Sequence, residues 1–219
     1  MKTVYCICGL GADERIFSKI KWGDTEVHFL QWLIPEKDEP LAEYALRMSK
    51  KIEAGSSFTL IGVSFGGIIS TEISKLMPVE KLVLISSIQH YRQLPAWMKA
   101  AGSSKLDHLI PNGKLPGKRS LKLIAPIENY FLGAVSKEEK KLVQEYRENI
   151  NPEYLKWSIH QILNWKNEWI HPHTYHLHGT SDKVFPIRNV TPTHTIQSGR
   201  HFMVYHSAEE ISEILKNII

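Results

Sequence analysis

Short apolar runs alternate with helical patterns along most of this 219-residue chain, and this alternation constrains the fold more than any other feature. Parallel strands need a long crossover connection, which is usually a helix. Strands covered by helices on both faces read as continuous apolar runs. The sequence therefore predicts an α/β protein whose parallel sheet has helices on both faces. The candidate strands are TVYCIC (3–8), EVHFL (26–30), SFTLIGV (57–63), KLVLIS (81–86), TYHLH (174–178) and THTI (193–196).

Helical patterns fill the spaces between these runs. One follows Pro40 over residues 41–52, and a second covers 68–77. The last helix is predicted to open with Ser207 and Glu210 as a capping box, in which each residue satisfies a free backbone N–H of the other.

A segment between the fourth and fifth strands shows no strand pattern. Over 89–171 the chain has a proline-punctuated loop at 110–120 and then two helices, opened by SKEE (136–139) and NP (151–152). Such a stretch is typical of an insertion that covers a sheet domain. The predicted division is a core domain of residues 1–88 and 172–219 and a mainly helical cap of residues 89–171.

The stretch LIGVSFGGII at residues 60–69 places Ser64 between an apolar run and a helical pattern, with glycines on both sides. Glycine weakens regular elements but permits turns so sharp that larger side chains would collide. G-x-S-x-G at a strand-to-helix turn is typical of a nucleophile elbow, which exposes a serine hydroxyl. By itself the pattern is equally consistent with an ordinary strand-to-helix turn, so other residues must distinguish a catalytic serine from a structural one.

A serine becomes a good nucleophile when a base accepts its proton and an acid orients that base. In parallel α/β sheets such groups lie in loops at the carboxyl ends of strands. Asp182 in GTSDKVFP directly follows one predicted strand, and His201 in QSGRHFM follows the next. Either residue alone is more often structural, but the order Ser64, Asp182, His201 is the one expected with a nucleophile elbow. The sequence thus predicts a catalytic triad of these three residues.

Acyl transfer also needs two backbone N–H groups that stabilise the oxyanion. Phe65, directly after the serine, is predicted to supply one, and Leu10 in the loop CGLGADERIF the other. Gly9 and Gly11 would let this loop approach the site, and Gly9 is also assigned to substrate binding. The alternative is a phosphate-binding loop, but GLGADE lacks the third glycine of the dinucleotide motif and the Lys-Ser of a P-loop.

The segments GLGADERIF, GVSFGG, HGTSDKVFP and GRHFM together resemble the α/β-hydrolase superfamily, in particular its small, capped, cytoplasmic esterase-like members. Many relatives have His-Gly where this chain has Cys8-Gly9. The chain begins at the position of the third strand of an eight-stranded relative, which implies about six strands, all parallel. The roles that the resemblance implies are Ser64 as nucleophile, His201 as base and then acid, Asp182 as the residue that orients it, and the amides of Leu10 and Phe65 as oxyanion hole.

Composition argues against several partners. The net charge of +4 is mild and its lysines and arginines are dispersed, so nucleic acid is not expected. No apolar run reaches the roughly 18 residues of a membrane span, and the N-terminal run breaks at Gly9, unlike a signal peptide. Cys6 and Cys8 share one side of a strand and are poorly placed to bridge, which indicates a reducing compartment. We expect a cytoplasmic protein with no membrane partner.

Histidines cluster in HPHTYHLH (171–178), which imitates a metal site. On a strand, however, His176 and His178 share one face while their neighbours take the other. A zinc site needs three converging protein ligands and a supporting shell. We therefore expect no metal and no other cofactor.

Aromatic residues of the predicted cap are candidates for substrate binding, with the alternative that they form the cap's own small core. The triad implies hydrolysis of a small carboxylic ester through a covalent Ser64 ester, with apolar acyl chains of about two to eight carbons preferred. A hydrolase of thioesters, amides or carbon–carbon bonds, an acyltransferase and a non-catalytic small-molecule receptor remain open as alternatives. The aromatic candidates are Trp97, Tyr130, Phe131, Trp157 and Trp165.

Overall fold

A computed structural model describes residues 2–53, 57–104 and 118–219 of the chain, including their side chains except those of 118–122. The strands are β1 (Lys2–Ile7), β2 (Thr25–Phe29), β3 (Thr59–Val63), β4 (Lys81–Ile85), β5 (Thr174–Gly179) and β6 (His194–Ile196). They form one six-stranded sheet in the order β2-β1-β3-β4-β5-β6, and all neighbouring strands are parallel. This confirms the fold class and all six strand positions to within two residues at either end.

The inner strands are buried on both faces, as their continuous apolar runs predict. In β1, for example, Val4 and Cys6 contact one apolar cluster, whereas Tyr5 and Ile7 contact the other. The register pairs Val63 of β3 with Ile85 of β4, and Ile85 with Leu177 of β5. Because the carboxyl ends of these strands are aligned, the loops that follow them meet at one edge of the sheet.

Helices cover both faces. Tyr44, Ile69 and Tyr154 from three helices pack into one apolar cluster, and Val143 and Ile211 from two others pack into the second. The helices that contain these residues, and the remaining ones, are α1 (Leu41–Ser49), α2 (Phe65–Ser74), α3 (Ala96–Ser103), α4 (Lys118–Leu132), α5 (Lys137–Asn149), α6 (Pro152–Asn164), α7 (Met203–His206) and α8 (Ala208–Ile218). None of the described helices is long and apolar enough to cross a membrane.

The predicted capping boxes have different outcomes. At the start of α5, the Glu139 N–H donates to Ser136 Oγ (3.1 Å), and the Ser136 N–H donates to Glu139 Oε2 (2.7 Å), so this box is confirmed. The prediction for Ser207 is wrong, because its side chain makes no capping hydrogen bond. Its own N–H instead donates to the carbonyl of Met203, which closes the last turn of α7 and leaves no extended residue before α8.

The segment 89–171 contains more helix than the sequence suggested. α3 was not expected, and α4 begins at Lys118, so residues 118–120 of the predicted loop are helical. The rest of that loop lies outside the described residues. α4 continues through Pro126, although a proline inside a helix removes one backbone hydrogen bond. The described part of the segment is thus mainly helical, and its separation from the core as a cap remains a prediction.

Candidate active site

Ser64 lies at the turn between β3 and α2 with φ 53° and ψ −120°. A positive φ is uncommon for a residue that has a side chain and costs free energy, so the surrounding structure must hold it in place. The Ser64 N–H donates to the Ile85 carbonyl (2.9 Å), and Ser87 Oγ donates to the Ser64 carbonyl (2.7 Å). Both bonds come from the end of β4, so the neighbouring strand fixes the conformation of the serine.

The glycines around Ser64 are required by close backbone contacts. A Cβ on Gly62 would lie 2.5 Å from the Gly66 carbonyl oxygen, and a Cβ on Gly66 would lie 2.2 Å from the Cys8 carbonyl oxygen. A Cβ on Gly67 would lie 2.3 Å from Ser87 Oγ. α2 therefore approaches β3 and the end of β1 more closely than any side chain allows, which is the geometry that the LIGVSFGGII pattern predicts.

The three residues of the predicted triad form one hydrogen-bonded chain. His201 Nε2 lies 2.8 Å from Ser64 Oγ, and His201 Nδ1 lies 2.8 Å from Asp182 Oδ2. A carboxylate only accepts hydrogen bonds, so Nδ1 of His201 carries the proton of the neutral ring. Nε2 is then free to accept the hydroxyl proton of Ser64, which is the arrangement that general-base activation needs.

Asp182 is held from several sides. Its Oδ1 accepts the N–H groups of Val184 (2.8 Å) and Phe185 (2.9 Å), which leaves Oδ2 for His201. Asp182 is 4% exposed and His201 is 5% exposed, so water screens their interaction little. The turn after β5 therefore fixes both the position and the direction of the carboxylate.

Two buried histidines of β5 support this turn. His178 Nε2 lies 2.7 Å from the Phe185 carbonyl oxygen and 3.5 Å from Asp182 Oδ2, and His176 Nε2 lies 3.1 Å from His178 Nδ1. Because a carbonyl only accepts, His178 donates from Nε2 and accepts at Nδ1 from His176. Burial lowers the pKa of His178, and burial together with the neighbouring His178 lowers that of His176 to about 3. Both rings are therefore neutral near pH 7.

The candidate oxyanion donors lie on either side of the serine. Phe65 is the first residue of α2, where a backbone N–H has no acceptor within the helix, and its side chain is fully buried. A Cβ on Gly9 would lie 3.6 Å from Ser64 Cβ, so the loop after β1 passes beside the serine as predicted. Gly11 has φ +69°, which glycine adopts without strain, and Leu10 lies between these two glycines.

Neither the family models nor the curated protein sequences compared with this chain give a match. Solved structures match over almost its whole length. Bromoperoxidase from Bacillus anthracis has a TM-score of 0.71, with 16% identity over 99% of this chain and 91% of its own. A putative lipase from Acinetobacter baumannii AYE has a TM-score of 0.69, with 16% identity over 99% of this chain and 84% of its own. A thermophilic esterase from Thermogutta terrifontis has a TM-score of 0.68, with 14% identity over 99% of this chain and 89% of its own.

The chain has the α/β-hydrolase fold. The similar structures carry different names at low identity, so they establish the architecture and not the reaction. Within this hydrolase fold, Ser64, Asp182 and His201 occupy the loops after β3, β5 and β6, at the edge of the sheet where strand ends meet.

The aromatic candidates for substrate binding lie in different places. Trp157 is half-buried, with its ring centroid 6.0 Å from that of Phe65, and so lies beside the serine turn. Trp165 donates from Nε1 to Glu72 Oε1 (2.8 Å), which is about 12 Å along α2 from Ser64. Trp97 is 56% exposed on α3. The structure therefore brings Trp157 close to the serine turn but not Trp165.

Tyr130 and Phe131 lie at the end of α4. They are next to the loop after β5 that contains Asp182 (the acid loop) and the loop after β6 that contains His201 (the base loop). Lys183 Nζ is 3.3 Å from the centroid of the Tyr130 ring, and the Phe202 N–H donates to the carbonyl of Leu132 (2.9 Å). A cavity of about 440 Å³ at this junction is lined by Tyr130, Lys183 and Arg200, among others. Lys183 follows Asp182 and Arg200 precedes His201, so this cavity adjoins both loops.

The clustered histidines do not form a metal site within the described residues, where no group of three or more histidine, cysteine or acidic side chains is placed to hold an ion. His171 Nε2 lies 3.0 Å from the Val79 carbonyl oxygen instead.

Two features of the site were missed at the sequence level. The hydrogen bonds by which the β5 histidine pair supports the Asp182 turn were not predicted, and Trp32 was not considered at all. Trp32 is the third residue after β2. The rule that selected Asp182 and His201, a polar group just past a strand end, would therefore also have selected its indole N–H.

Proposed function

We propose that this protein is a serine hydrolase that cleaves a small carboxylic ester through a covalent intermediate on Ser64. The observation that carries the proposal is the hydrogen-bonded chain from Ser64 Oγ through His201 to Asp182, at a strained turn beside two candidate oxyanion donors. Nucleophile, base and orienting acid are each within hydrogen-bond reach of the next, which is the geometry that acyl transfer requires.

In the acylation step, His201 Nε2 accepts the hydroxyl proton while Ser64 Oγ attacks the ester carbonyl carbon. The carbonyl oxygen becomes an oxyanion, which the N–H groups of Leu10 and Phe65 stabilise. The tetrahedral intermediate then collapses, the bond to the alcohol oxygen breaks, and His201 donates its proton to that leaving oxygen. Ser64 remains as an ester of the acid.

In the deacylation step, His201 accepts a proton from water, whose oxygen attacks the Ser64 ester. The second tetrahedral intermediate then collapses, and the bond between the acyl carbon and Ser64 Oγ breaks. His201 donates its proton to Ser64 Oγ as the carboxylic acid leaves. Asp182 keeps its contact with His201 Nδ1 throughout and stabilises the positive imidazolium in each step.

Aromatic side chains of the segment 89–171 support a substrate with a small apolar acyl group rather than a long lipid chain. Trp157 beside the serine turn, and Tyr130 and Phe131 beside the acid and base loops, offer flat apolar surface near the site. We propose acyl chains of about two to eight carbons, a size that pockets of a few hundred Å³ accommodate.

A series of p-nitrophenyl esters from two to 16 acyl carbons tests this proposal. We expect multiple turnovers with an optimum at about eight carbons or fewer, and loss of turnover in Ser64→Ala. An optimum at 16 carbons would contradict the proposed substrate class. Binding without turnover would favour the receptor alternative, and partitioning of the acyl group to added alcohols over water would favour an acyltransferase.

A further inference from the structure

Trp32 connects the loop after β2 to the backbone that carries the Leu10 amide. Its half-buried indole places Nε1 3.2 Å from the Gly9 carbonyl oxygen and 3.1 Å from the Ala12 carbonyl oxygen, so one N–H is shared between the two. The Ala12 N–H also donates to the Gly9 carbonyl (3.0 Å). The carbonyl oxygen of Gly9 is thus held by two donors.

Holding this carbonyl determines the direction of the neighbouring N–H. The Gly9 C=O and the Leu10 N–H belong to the same peptide unit, which is planar and trans, so the two groups point in opposite directions. While the Gly9 oxygen faces the Trp32 indole, the Leu10 N–H must face away from it. The glycines at 9 and 11 leave this loop intrinsically free to rotate, and the Trp32 bonds remove that freedom.

The same indole also contacts the second candidate donor. The Trp32 ring is stacked on the Phe65 ring, with centroids 5.6 Å apart and an interplanar angle of 15°. Phe65 is fully buried and immediately follows Ser64. Trp32 also contacts Tyr154 of α6, with ring centroids 5.3 Å apart. The Trp32 side chain therefore contacts the backbone on both sides of Leu10 and the side chain of Phe65, the two residues with the candidate oxyanion donors.

We propose that Trp32 is a positioning residue that fixes the oxyanion hole, through a hydrogen bond to the Leu10 peptide and a ring stack on Phe65. This role rests on the proposed hydrolase function. It stabilises the transition state without contact with the substrate, because the preorganised direction of the donors determines how well they bind the developing charge.

The test is Trp32→Phe, which keeps an aromatic ring against Phe65 and removes the indole N–H. Because deletion of a whole oxyanion donor costs about 100- to 1,000-fold in kcat, we expect misdirection of one donor to lower kcat about 10-fold, with KM within about twofold. Affinity for a tetrahedral adduct, measured with an alkyl boronic acid, should fall by a similar factor. A role in packing alone would change thermal stability but would leave kcat and the affinity for the boronic acid unchanged.

The matched control is Tyr44→Phe. Tyr44 Oη bonds the N–H and the carbonyl of Leu33 (2.9 Å each), so this change loosens the segment next to Trp32 without touching the oxyanion loop. It should keep the wild-type kcat. If Trp32→Phe fails to fold, β-(3-benzothienyl)alanine at position 32 replaces the N–H with sulfur in a ring of nearly the same shape.

The outcomes separate the two proposals. Wild-type turnover with a selective loss of kcat and boronate affinity in the position 32 variants supports the role of Trp32. Equal kcat in wild type and variants, or a rise in KM alone, overturns that role and leaves the hydrolase proposal standing. A wild type that neither turns over esters nor binds the boronic acid overturns both.

Discussion

The loops at the sheet edge and the helices of segment 89–171 hold their side chains very differently. Asp182 is 4% exposed and accepts hydrogen bonds on both oxygens, whereas Tyr130 is 60% exposed and Trp97 is 56% exposed. Buried, fully bonded groups occupy one geometry, and exposed aromatic side chains can adjust theirs. Under the proposed function, we expect the strand ends to determine the chemistry of the site and the helices to determine which substrates reach it.

Segment 89–171 is itself divided in this respect. α5 is tied to the loop after β1, because Tyr146 Oη bonds Asp13 Oδ1 (3.1 Å) and Glu145 pairs with Arg15 (2.5 Å). Just beyond α5, Ile150 covers Gly11 so closely that a Cβ there would lie 2.5 Å from its Cδ1. α4, by contrast, exposes Leu123 to 79%. We therefore expect the second half of the segment to be held in place as firmly as the loops at the sheet edge.

The largest effect should come from the serine itself. Ser64→Ala is expected to lower kcat on the order of 10⁶-fold, because nucleophile and base act as one unit. Hydrolysis of p-nitrophenyl butyrate measures it. Ser70→Ala, a buried serine in the helix that follows Ser64, should retain activity. Substantial turnover by Ser64→Ala would mean that another residue carries the reaction.

A methyl group at the serine turn should strongly destabilise the fold. In Gly66→Ala the new Cβ would meet the carbonyl oxygens of Cys8 (2.2 Å) and Ile7 (2.4 Å), which are backbone atoms and cannot rotate away. We expect a loss of about 3 kcal/mol in the free energy of unfolding, measured by urea denaturation.

Gly23→Ala is the matched control for this change. Gly23 has φ +60°, but no atom lies within 4 Å of a Cβ added there. The free energy of unfolding should therefore fall only by the conformational cost of a positive φ, about 1 kcal/mol. Equal losses in the two variants would show that close contact at the serine turn is not what requires glycine there.

The buried histidines beneath the acid loop predict an acid-sensitive core. Burial lowers the pKa of His176 to about 3, against 6.5 as the ordinary value. Between these pH values the unfolded chain binds the proton and the folded chain does not, so stability is full above pH 6.5 and falls as the pH decreases. Each such histidine contributes a slope of up to about 1.4 kcal/mol per pH unit.

Urea denaturation between pH 7 and pH 5 measures this slope in His176→Gln and, as a control, in His173→Gln, whose side chain is exposed. The slope should become shallower only in the first variant. An unchanged slope in His176→Gln would mean that other groups cause the acid sensitivity.

The smallest effects should come from the exposed aromatic residues. Trp97→Ala and Tyr130→Ala are expected to change the free energy of unfolding by less than about 0.5 kcal/mol, because exposed side chains contribute little. If they contact substrate, KM should rise a few-fold with kcat unchanged, since such binding is uniform in ground and transition states. A large fall in kcat in either variant would break the distinction between the strand ends and the helices.

The parts of the site that could be predicted from sequence are those marked by backbone geometry. Glycines around Ser64 and polar residues just past strand ends are local signals. Ser64, Asp182 and His201 could therefore be selected as candidates from the sequence alone. The strand-end rule could have selected Trp32 as a candidate, but the contacts through which Trp32 and His178 support the site could not be predicted, because they are tertiary contacts. α4 was missed because Pro126 contradicts local helix preference, and the position of Trp165 because an apolar aromatic pattern does not specify its neighbours.

Covalent labelling of Ser64 tests the central claim most directly. Intact-mass measurement after reaction with a fluorophosphonate probe should show one adduct per wild-type chain, located on Ser64. Ser64→Ala should remain unlabelled, and labelling should become much slower in His201→Ala and Asp182→Asn, which lose the base or its orientation. A folded wild type that shows no adduct, or an adduct on any other residue, would contradict the assignment of Ser64 as an activated nucleophile.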